Sequence, residues 1–141
     1  MFATIEMSIE MPVYPERVYR AWLDGFELAQ ITHQPAHIIP QVGGELRLLG
    51  GRVVGEFRRL VPYNYLEMTW HVQGEALAPD SQVVIRIEPT CVGSLLRVWH
   101  HGVELKRVQD MLQWWENNYL RPLQTYFEDL VGDYIADMSD G

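Results

Sequence analysis

The chain has 141 residues, and its 11 lysines and arginines against 19 aspartates and glutamates give a net charge of −8. This length fits one domain, and the negative charge argues against a nucleic acid or an anionic membrane as partner, because both require a basic surface. The single cysteine, Cys91, cannot form an internal disulfide, and neither a signal peptide nor an apolar run of about 18 residues that could span a membrane is visible, so we expect a cytoplasmic protein.

The first third of the chain predicts a strand, two short helices and a second strand. Residues 3–11 alternate apolar and polar side chains, with Ile9 on the apolar face, which is typical of a half-buried strand. Pro15 suits the first turn of a helix, where its missing N–H costs nothing, and residues 26–31 predict a second helix. A short strand is expected at residues 38–39, between two prolines.

The stretch 42–70 predicts three antiparallel strands in succession. Glycine pairs at 43–44 and 50–51 and the sequence Pro-Tyr-Asn at 62–64 are turn signals, since glycine adopts positive φ angles readily. Apolar residues alternate with polar ones between these turns. A break in that alternation predicts a bulge near residues 58–59, which would help to curl the sheet.

Two more strands complete the predicted sheet. After a loop at residues 74–80 we expect strands at 81–88 and 94–101, with Gly102 ending the second. The order of elements is then one strand, two short helices, about six strands and one long helix. It predicts an α+β fold in which a curved antiparallel sheet of six to seven strands wraps around the helix. Any gap between sheet and helix would be an apolar cavity.

The long helix is predicted from a change of period. From about Lys106 the apolar residues repeat at three- and four-residue steps, which indicates a helix of roughly 25 residues and about 40 Å. Pro122 should bend the helix or mark a break near Asn117. We expect the helix to end at Gly132, so that residues 1–132 form one domain and the acidic residues 133–141 form a frayed tail.

Several segments together resemble a known family. The segments are PERVYRAWLD (15–24), VGGELRL (42–48), GEFRRLVP (55–62), LEMTW (66–70), S-x-L-x-V-x-H (94–100) and L-x-x-L-x-x-x-F-E (120–128). In this order they resemble the activator of Hsp90 ATPase homologues, a branch of the START-like (SRPBCC, Bet v 1-like) helix-grip superfamily. The match extends over most of residues 5–128. Two departures from the family pattern are Ile31-Thr32, where a tryptophan is usual, and Gln113-Trp114-Trp115, where Gly-Trp is usual.

The resemblance implies the helix-grip fold and several possible functions. Members of the superfamily bind or process diverse hydrophobic molecules, so our leading hypothesis is non-catalytic binding of a small lipid-like or aromatic ligand between sheet and helix. One alternative is a cyclase- or dehydratase-like enzyme that uses the same cavity. Another is a chaperone co-regulator with a role in the stress response, which would act through its outer surface.

The predicted cavity wall consists of side chains that fall on the inward faces of the strands and of the long helix. They are Ile9, Leu46, Phe57, Met68, Trp70, Ile85, Ile87, Val98, His100, Trp115, Tyr119 and Leu123. His100 has three interpretations: a core histidine bonded to neighbouring groups, a polar anchor for a ligand, or a general base.

Two residue pairs outside the predicted cavity, one of histidines and one of tryptophans, are also considered as sites. His33 and His37 are four residues apart, but Pro35 lies between them and a zinc site needs more ligands, so we expect no metal and no cofactor. Trp99 and Trp114 are predicted on outward faces, where they would form a homodimer contact or be covered by neighbouring basic side chains.

Overall fold

In the computed structural model, residues 1–75 and 77–140 are described, and they form eight strands and four α-helices. In chain order these are β1 (Phe2–Met11), α1 (Pro15–Trp22), α2 (Gly25–Thr32), β2 (His37–Ile38), β3 (Glu45–Leu48), β4 (Val53–Val61), β5 (Tyr65–Thr69), β6 (His71–Val72), β7 (Leu77–Thr90), β8 (Gly93–Glu104), α3 (Val108–Trp115) and α4 (Arg121–Asp140). Short 3₁₀ turns occur at Leu49–Gly51 and Leu105–Arg107, and a π-helical segment at Glu116–Leu120 joins α3 to α4.

The strands form one antiparallel sheet in the order β1-β8-β7-β5-β4-β3-β2, with β6 beside β4. The C-terminal helix covers one face of this sheet, and its buried side chains form a single core with those of the strands and of α1 and α2. The predicted α+β helix-grip architecture is confirmed. The two-residue strand β6 was not predicted, because a segment so short carries no readable alternation.

The central strands lie where the sequence places them. β3, β4 and β5 fill the stretch 42–70, and the pairing of β4 with β5 shifts register between Phe57 and Arg59, which confirms the predicted bulge. Gly55 allows the close approach of these two strands. A Cβ added there would lie 2.0 Å from the carbonyl oxygen of Thr69, so any larger residue would force the backbones apart.

Two predicted strand boundaries are wrong. They are the beginning of a strand at residue 81, after a loop at 74–80, and the end of the next strand at Gly102. β7 already begins at Leu77, which pairs with Val103, and a register shift before Gln82 accommodates the extra residues. Ala76, within the predicted loop, lies outside the described residues. Gly102 has a φ of 86° and sits inside β8, where its bare Cα makes room for Ala78. Proline and glycine signals here mark an irregular pairing and not a strand end.

The C-terminal helix is continuous but irregular. Instead of a bend at Pro122, the chain forms the π-helical segment immediately before it, where the Asn118 side chain donates a hydrogen bond of 2.9 Å to the carbonyl of Trp114. The predicted helix end at Gly132 is not observed, since α4 continues to Asp140. An exposed glycine in open space lowers helix propensity by about 1 kcal/mol without blocking the helix. Gly141 lies outside the described residues.

A polar cluster ties the two short helices to the long one. The side chain of Asp24 accepts hydrogen bonds from the backbone N–H groups of Phe26 (2.9 Å) and Glu27 (3.2 Å) and so caps α2. Glu27 pairs with Arg17 of α1 and accepts a 2.7 Å hydrogen bond from the Tyr126 hydroxyl of α4. These contacts hold α1, α2 and α4 in one arrangement over the core. None of the helices in the described part of the chain is long and apolar enough to cross a membrane.

Candidate functional site

The predicted cavity-wall side chains come together between the sheet and the C-terminal helix. Leu46, Phe57, Met68, Trp70, Ile85, Ile87, Val98, His100, Trp115, Tyr119 and Leu123 are buried, and Ile9 is half-buried against the same core. The inward orientation of these residues is therefore as expected from the strand and helix periods. Their role in ligand binding stays a prediction.

The interior is filled with large side chains. The bulkiest fully buried ones are Trp22, Trp70, Trp115, Tyr119 and Phe57. The five principal clefts among the described residues lie at the surface. None of the five clefts is lined by a predicted wall residue. These clefts therefore give no entrance to the predicted cavity wall.

Four residues, which we call the aromatic cluster, occupy the space between β5 and the helix: Trp70, Trp114, Trp115 and Tyr119. The rings of Trp70 and Trp115 stack with centroids 4.9 Å apart and planes at 21°. Tyr119 packs on both, at 5.9 Å from Trp70 and 5.6 Å from Trp115. Trp22 of α1 closes the far side, with its ring 5.4 Å from that of Tyr119.

His100 is held between two protein groups. The indole Nε1–H of Trp115 donates to His100 Nδ1 at 3.0 Å, and Ser81 Oγ lies 2.9 Å from His100 Nε2. An indole can only donate, so Nδ1 carries no proton and the neutral ring donates from Nε2 to Ser81. Burial, with a smaller contribution from nearby His101, lowers the pKa of His100 to about 3.

This arrangement matches the first of the three interpretations of His100. Both ring nitrogens are already bonded, so no free group remains to anchor a ligand. A neutral imidazole with a pKa near 3 is also too weak a base to accept a proton near neutral pH. The structure therefore favours a core histidine that links β8 to α3.

Two other polar atoms of the core are unsatisfied. Trp70 Nε1 and the Tyr119 hydroxyl are fully buried and have no hydrogen-bond partner among the described residues. Burial raises the pKa of Tyr119 well above its usual value, so the hydroxyl keeps its proton and can donate. Such groups cost stability and call for an explanation. The sequence placed both residues on the wall, but no pattern in it could reveal that their polar atoms lack partners.

The predicted outward orientation of Trp114 is wrong. Trp114 is half-buried, and its ring packs edge-on against Trp70 at 6.4 Å and lies 6.3 Å from Tyr119. The π-helical segment sets the phase between α3 and α4, and a uniform 3.6-residue period places Trp114 too far outward. Trp99 does lie on the outer face of the sheet, opposite Val84, so the two tryptophans are on different sides of the sheet.

The surface next to the π-helical segment carries a cleft of about 410 Å³ between α2 and α4. Its walls include Gln30, His33, Asn117 and Arg121. His33 adopts a left-handed conformation (φ 58°) that ends α2, whereas His37 lies in β2. Within the described residues no group of three or more histidine, cysteine or acidic side chains is placed to hold a metal ion.

Comparison with known proteins identifies related sequences. A family model described as "Activator of Hsp90 ATPase homolog 1-like protein" matches residues 12–128. The mouse "Activator of 90 kDa heat shock protein ATPase homolog 1" is 36% identical over 56 residues, which is 40% of this chain and 17% of the mouse protein. The human protein of the same description matches with the same identity and coverage. The match thus covers less than a fifth of the length of these curated relatives.

Solved structures share the fold. An HSP90 activator from Plasmodium falciparum superposes with a TM-score of 0.76 at 20% identity, over 87% of this chain and 94% of that chain. The Aha1 dimer from Colwellia psychrerythraea gives a TM-score of 0.72 at 17% identity, over 89% of this chain and 96% of that chain. At these identities the likeness establishes the fold alone.

Proposed function

The chain belongs to the family of Activator of Hsp90 ATPase homolog 1-like proteins, and from that premise we propose that it binds a small, largely apolar molecule between the sheet and the C-terminal helix. The observation that carries the proposal is the pair of buried, unpartnered polar atoms in the aromatic cluster. Trp70 Nε1 and the Tyr119 hydroxyl have no partner in the described part of the chain, and their rings are 5.9 Å apart.

The two atoms define the chemistry of the ligand. An indole N–H is only a donor, and a protonated phenol is a good donor, so the complementary ligand group is a hydrogen-bond acceptor such as a carbonyl oxygen. The surrounding rings favour a flat, aromatic body. We therefore assign the role of polar anchor to Trp70 and Tyr119, and no longer to His100 as the sequence suggested.

Room for the ligand comes from Trp114. This indole is half-buried and packs against the rings of Trp70 and Tyr119. A rotation of the Trp114 side chain towards solvent would open a space of about its own size beside these two rings. The other large rings of the interior are fully buried, so Trp114 is the least costly of them to displace.

A matched pair of probes tests the proposal. 2-Acetylnaphthalene and 2-ethylnaphthalene have nearly the same shape, but only the first carries an acceptor oxygen. Thermal unfolding should show stabilisation by the acetyl probe and much less by the ethyl probe; a ligand at 100 times its dissociation constant adds about 2.7 kcal/mol. Fatty acids and aromatic polyketides extend the screen to larger ligands.

Variants identify the site. Tyr119→Phe removes an unsatisfied hydroxyl, so it should raise the free energy of unfolding by about 1 kcal/mol while it reduces the preference for the acetyl probe. Tyr14→Phe, the same change at an exposed tyrosine, should alter neither quantity. No stabilisation by any apolar compound, or an undiminished acetyl preference in Tyr119→Phe, would refute the proposal.

A chaperone co-regulator is the second candidate, and the family match together with the packed interior favours it. The five principal clefts among the described residues lie at the outer surface, which is where a protein partner would bind. Stimulation of the ATPase of a purified Hsp90 by this chain would support this function, and no change in ATP turnover at saturating concentrations would count against it. A homodimer, and a cytoplasmic location, remain predictions.

The cyclase-like alternative has no basis in the geometry. Such an enzyme needs titratable groups that change protonation in the cavity. The buried groups of this kind among the described residues are His100, which stays neutral above about pH 3, and Tyr19 and Tyr119, whose pKa values are raised by burial so that both keep their protons.

A further inference from the structure

The last three turns of α4 carry an apolar stripe that nothing in the described part of the chain covers. Leu130, Tyr134 and Met138 are spaced four residues apart and are 40%, 66% and 65% exposed. Phe127 is the last fully buried residue of the described part of the helix. A helical end of this length is marginal in water unless an amphipathic face is packed.

The same three turns are strongly acidic. Glu128, Asp129, Asp133 and Asp137 follow Arg121, and no lysine or arginine occurs after that residue. Two such helical ends would repel each other, so pairing of α4 with α4 from a second copy is disfavoured. The surface that covers the stripe should combine apolar side chains with free positive charge.

The outer face of the sheet offers a surface of this kind. A groove of about 630 Å³ lies across β5, β7 and β8 on the face away from the helix. We call it the outer groove; its walls are Tyr65, Val84, Arg86, Glu88, Arg97, Trp99 and His101. Trp99 and Tyr65 supply the apolar floor.

Two arginines stack on Tyr65: Arg86 belongs to the wall of the outer groove, and Arg59 lies beside the groove, opposite Glu67 in the pairing of β4 with β5. The guanidinium groups of Arg59 and Arg86 lie 5.2 Å and 5.8 Å from the ring centroid of Tyr65 and have no carboxylate partner among the described residues. Arg97, in contrast, is already paired with Glu6 and Glu88. On a chain of net charge −8, these two stacked cations form a local site for an acidic segment.

We propose that the acidic end of α4 of one copy docks into the outer groove of a second copy. Tyr134 and Met138 would pack against Trp99 and Tyr65, and Asp133 or Asp137 would pair with Arg59 and Arg86. The helix cannot reach the groove of its own chain, because α4 lies on the inner face of the sheet and the groove is on the outer face. When the helix end of each copy docks into the outer groove of the other, the same contact forms twice and the assembly closes as a dimer.

Sedimentation velocity over a concentration series tests this proposal. Wild type should self-associate, and Arg59→Glu/Arg86→Glu should weaken the association at least about tenfold. Lys106→Glu reverses an exposed cation away from the groove and should leave it unchanged. Added salt should weaken the wild-type association, since ion pairs at an exposed contact are screened.

Exchanging the charges between helix and groove is the decisive experiment. Asp133→Arg/Asp137→Arg alone should also weaken the association. A chain that carries these two changes together with Arg59→Glu/Arg86→Glu should associate again, because the ion pairs are re-formed with their signs reversed. Tyr134→Glu should abolish it, and Val92→Glu, at an exposed apolar residue in a turn, should not. A wild-type monomer at every concentration, or an association left unchanged by either charge reversal on its own, would overturn the proposal. Circular dichroism of each variant confirms that it is folded.

Discussion

The buried histidine makes the stability of this protein sensitive to mild acid. In the folded chain His100 is neutral, with a pKa of about 3, because burial desolvates the ring and nearby His101 adds a smaller contribution. In the unfolded chain its pKa returns to about 6.5. The group therefore contributes its full stability above about pH 6.5, and this stability is lost as the pH falls towards 3, since only the unfolded state binds the proton.

The size of the effect follows from linkage. Between about pH 7 and about pH 5 the unfolded state takes up roughly 0.7 of a proton at this site, which lowers the free energy of unfolding by about 2 kcal/mol. His100→Gln keeps an acceptor for Trp115 and a donor for Ser81 but does not titrate. The variant is expected to be less stable at neutral pH and to lose about 2 kcal/mol less than wild type on acidification.

Urea unfolding followed by tryptophan fluorescence at several pH values measures this difference. His71→Gln is the matched control, because it makes the same substitution at an exposed histidine. Equal slopes for wild type and His100→Gln would refute the reasoning, since they would mean that His100 titrates alike in the folded and unfolded chains.

Two further predictions concern backbone space and the polar cluster of the helices. Gly55→Ala should destabilise the protein by about 2–4 kcal/mol, because the new Cβ would lie 2.0 Å from a backbone oxygen. Gly132→Ala, in open space on a helix, should instead stabilise it by about 1 kcal/mol, and thermal unfolding distinguishes the two outcomes. Glu27→Gln should lower the free energy of unfolding by about 1 kcal/mol, a modest loss because Arg17 is one-third exposed. Hydrogen bonds from Arg17 and Tyr126 lower the pKa of Glu27, so this loss should shrink as the pH falls through that pKa. A loss that stays the same in strong acid would contradict this assignment.

The sequence predicted the fold well where one period dominates. Residues such as Phe57 and Met68 alternate with polar neighbours, and both are buried across from each other in β4 and β5. The prediction failed where two rules compete. Glycine and proline near residue 78 suggested a loop, but the pairing of β7 with β8 tolerates an irregular register there.

The site was less accessible from sequence than the fold. Inward faces were identified from periodicity, but the state of each polar atom depends on neighbours that are distant in the chain. His100 is bonded by residues from β7 and α3, and Trp70 Nε1 is bonded by none of the described residues. Whether a buried polar group is satisfied is a property of three-dimensional packing, and no local pattern encodes it.

The π-helical segment has a consequence for how the long helix keeps one side buried. Met111, Trp115, Tyr119, Leu123 and Phe127 are all buried at a strict spacing of four residues. In an ideal α-helix each four-residue step overshoots a full turn by about 40°, so four steps would carry the last residue about 160° away from the first. The wider turn at Glu116–Leu120 takes back about 100° of that rotation, the angle of one extra residue. A single locally unwound turn thus lets apolar residues at a fixed spacing of four face the same sheet along the length of the core.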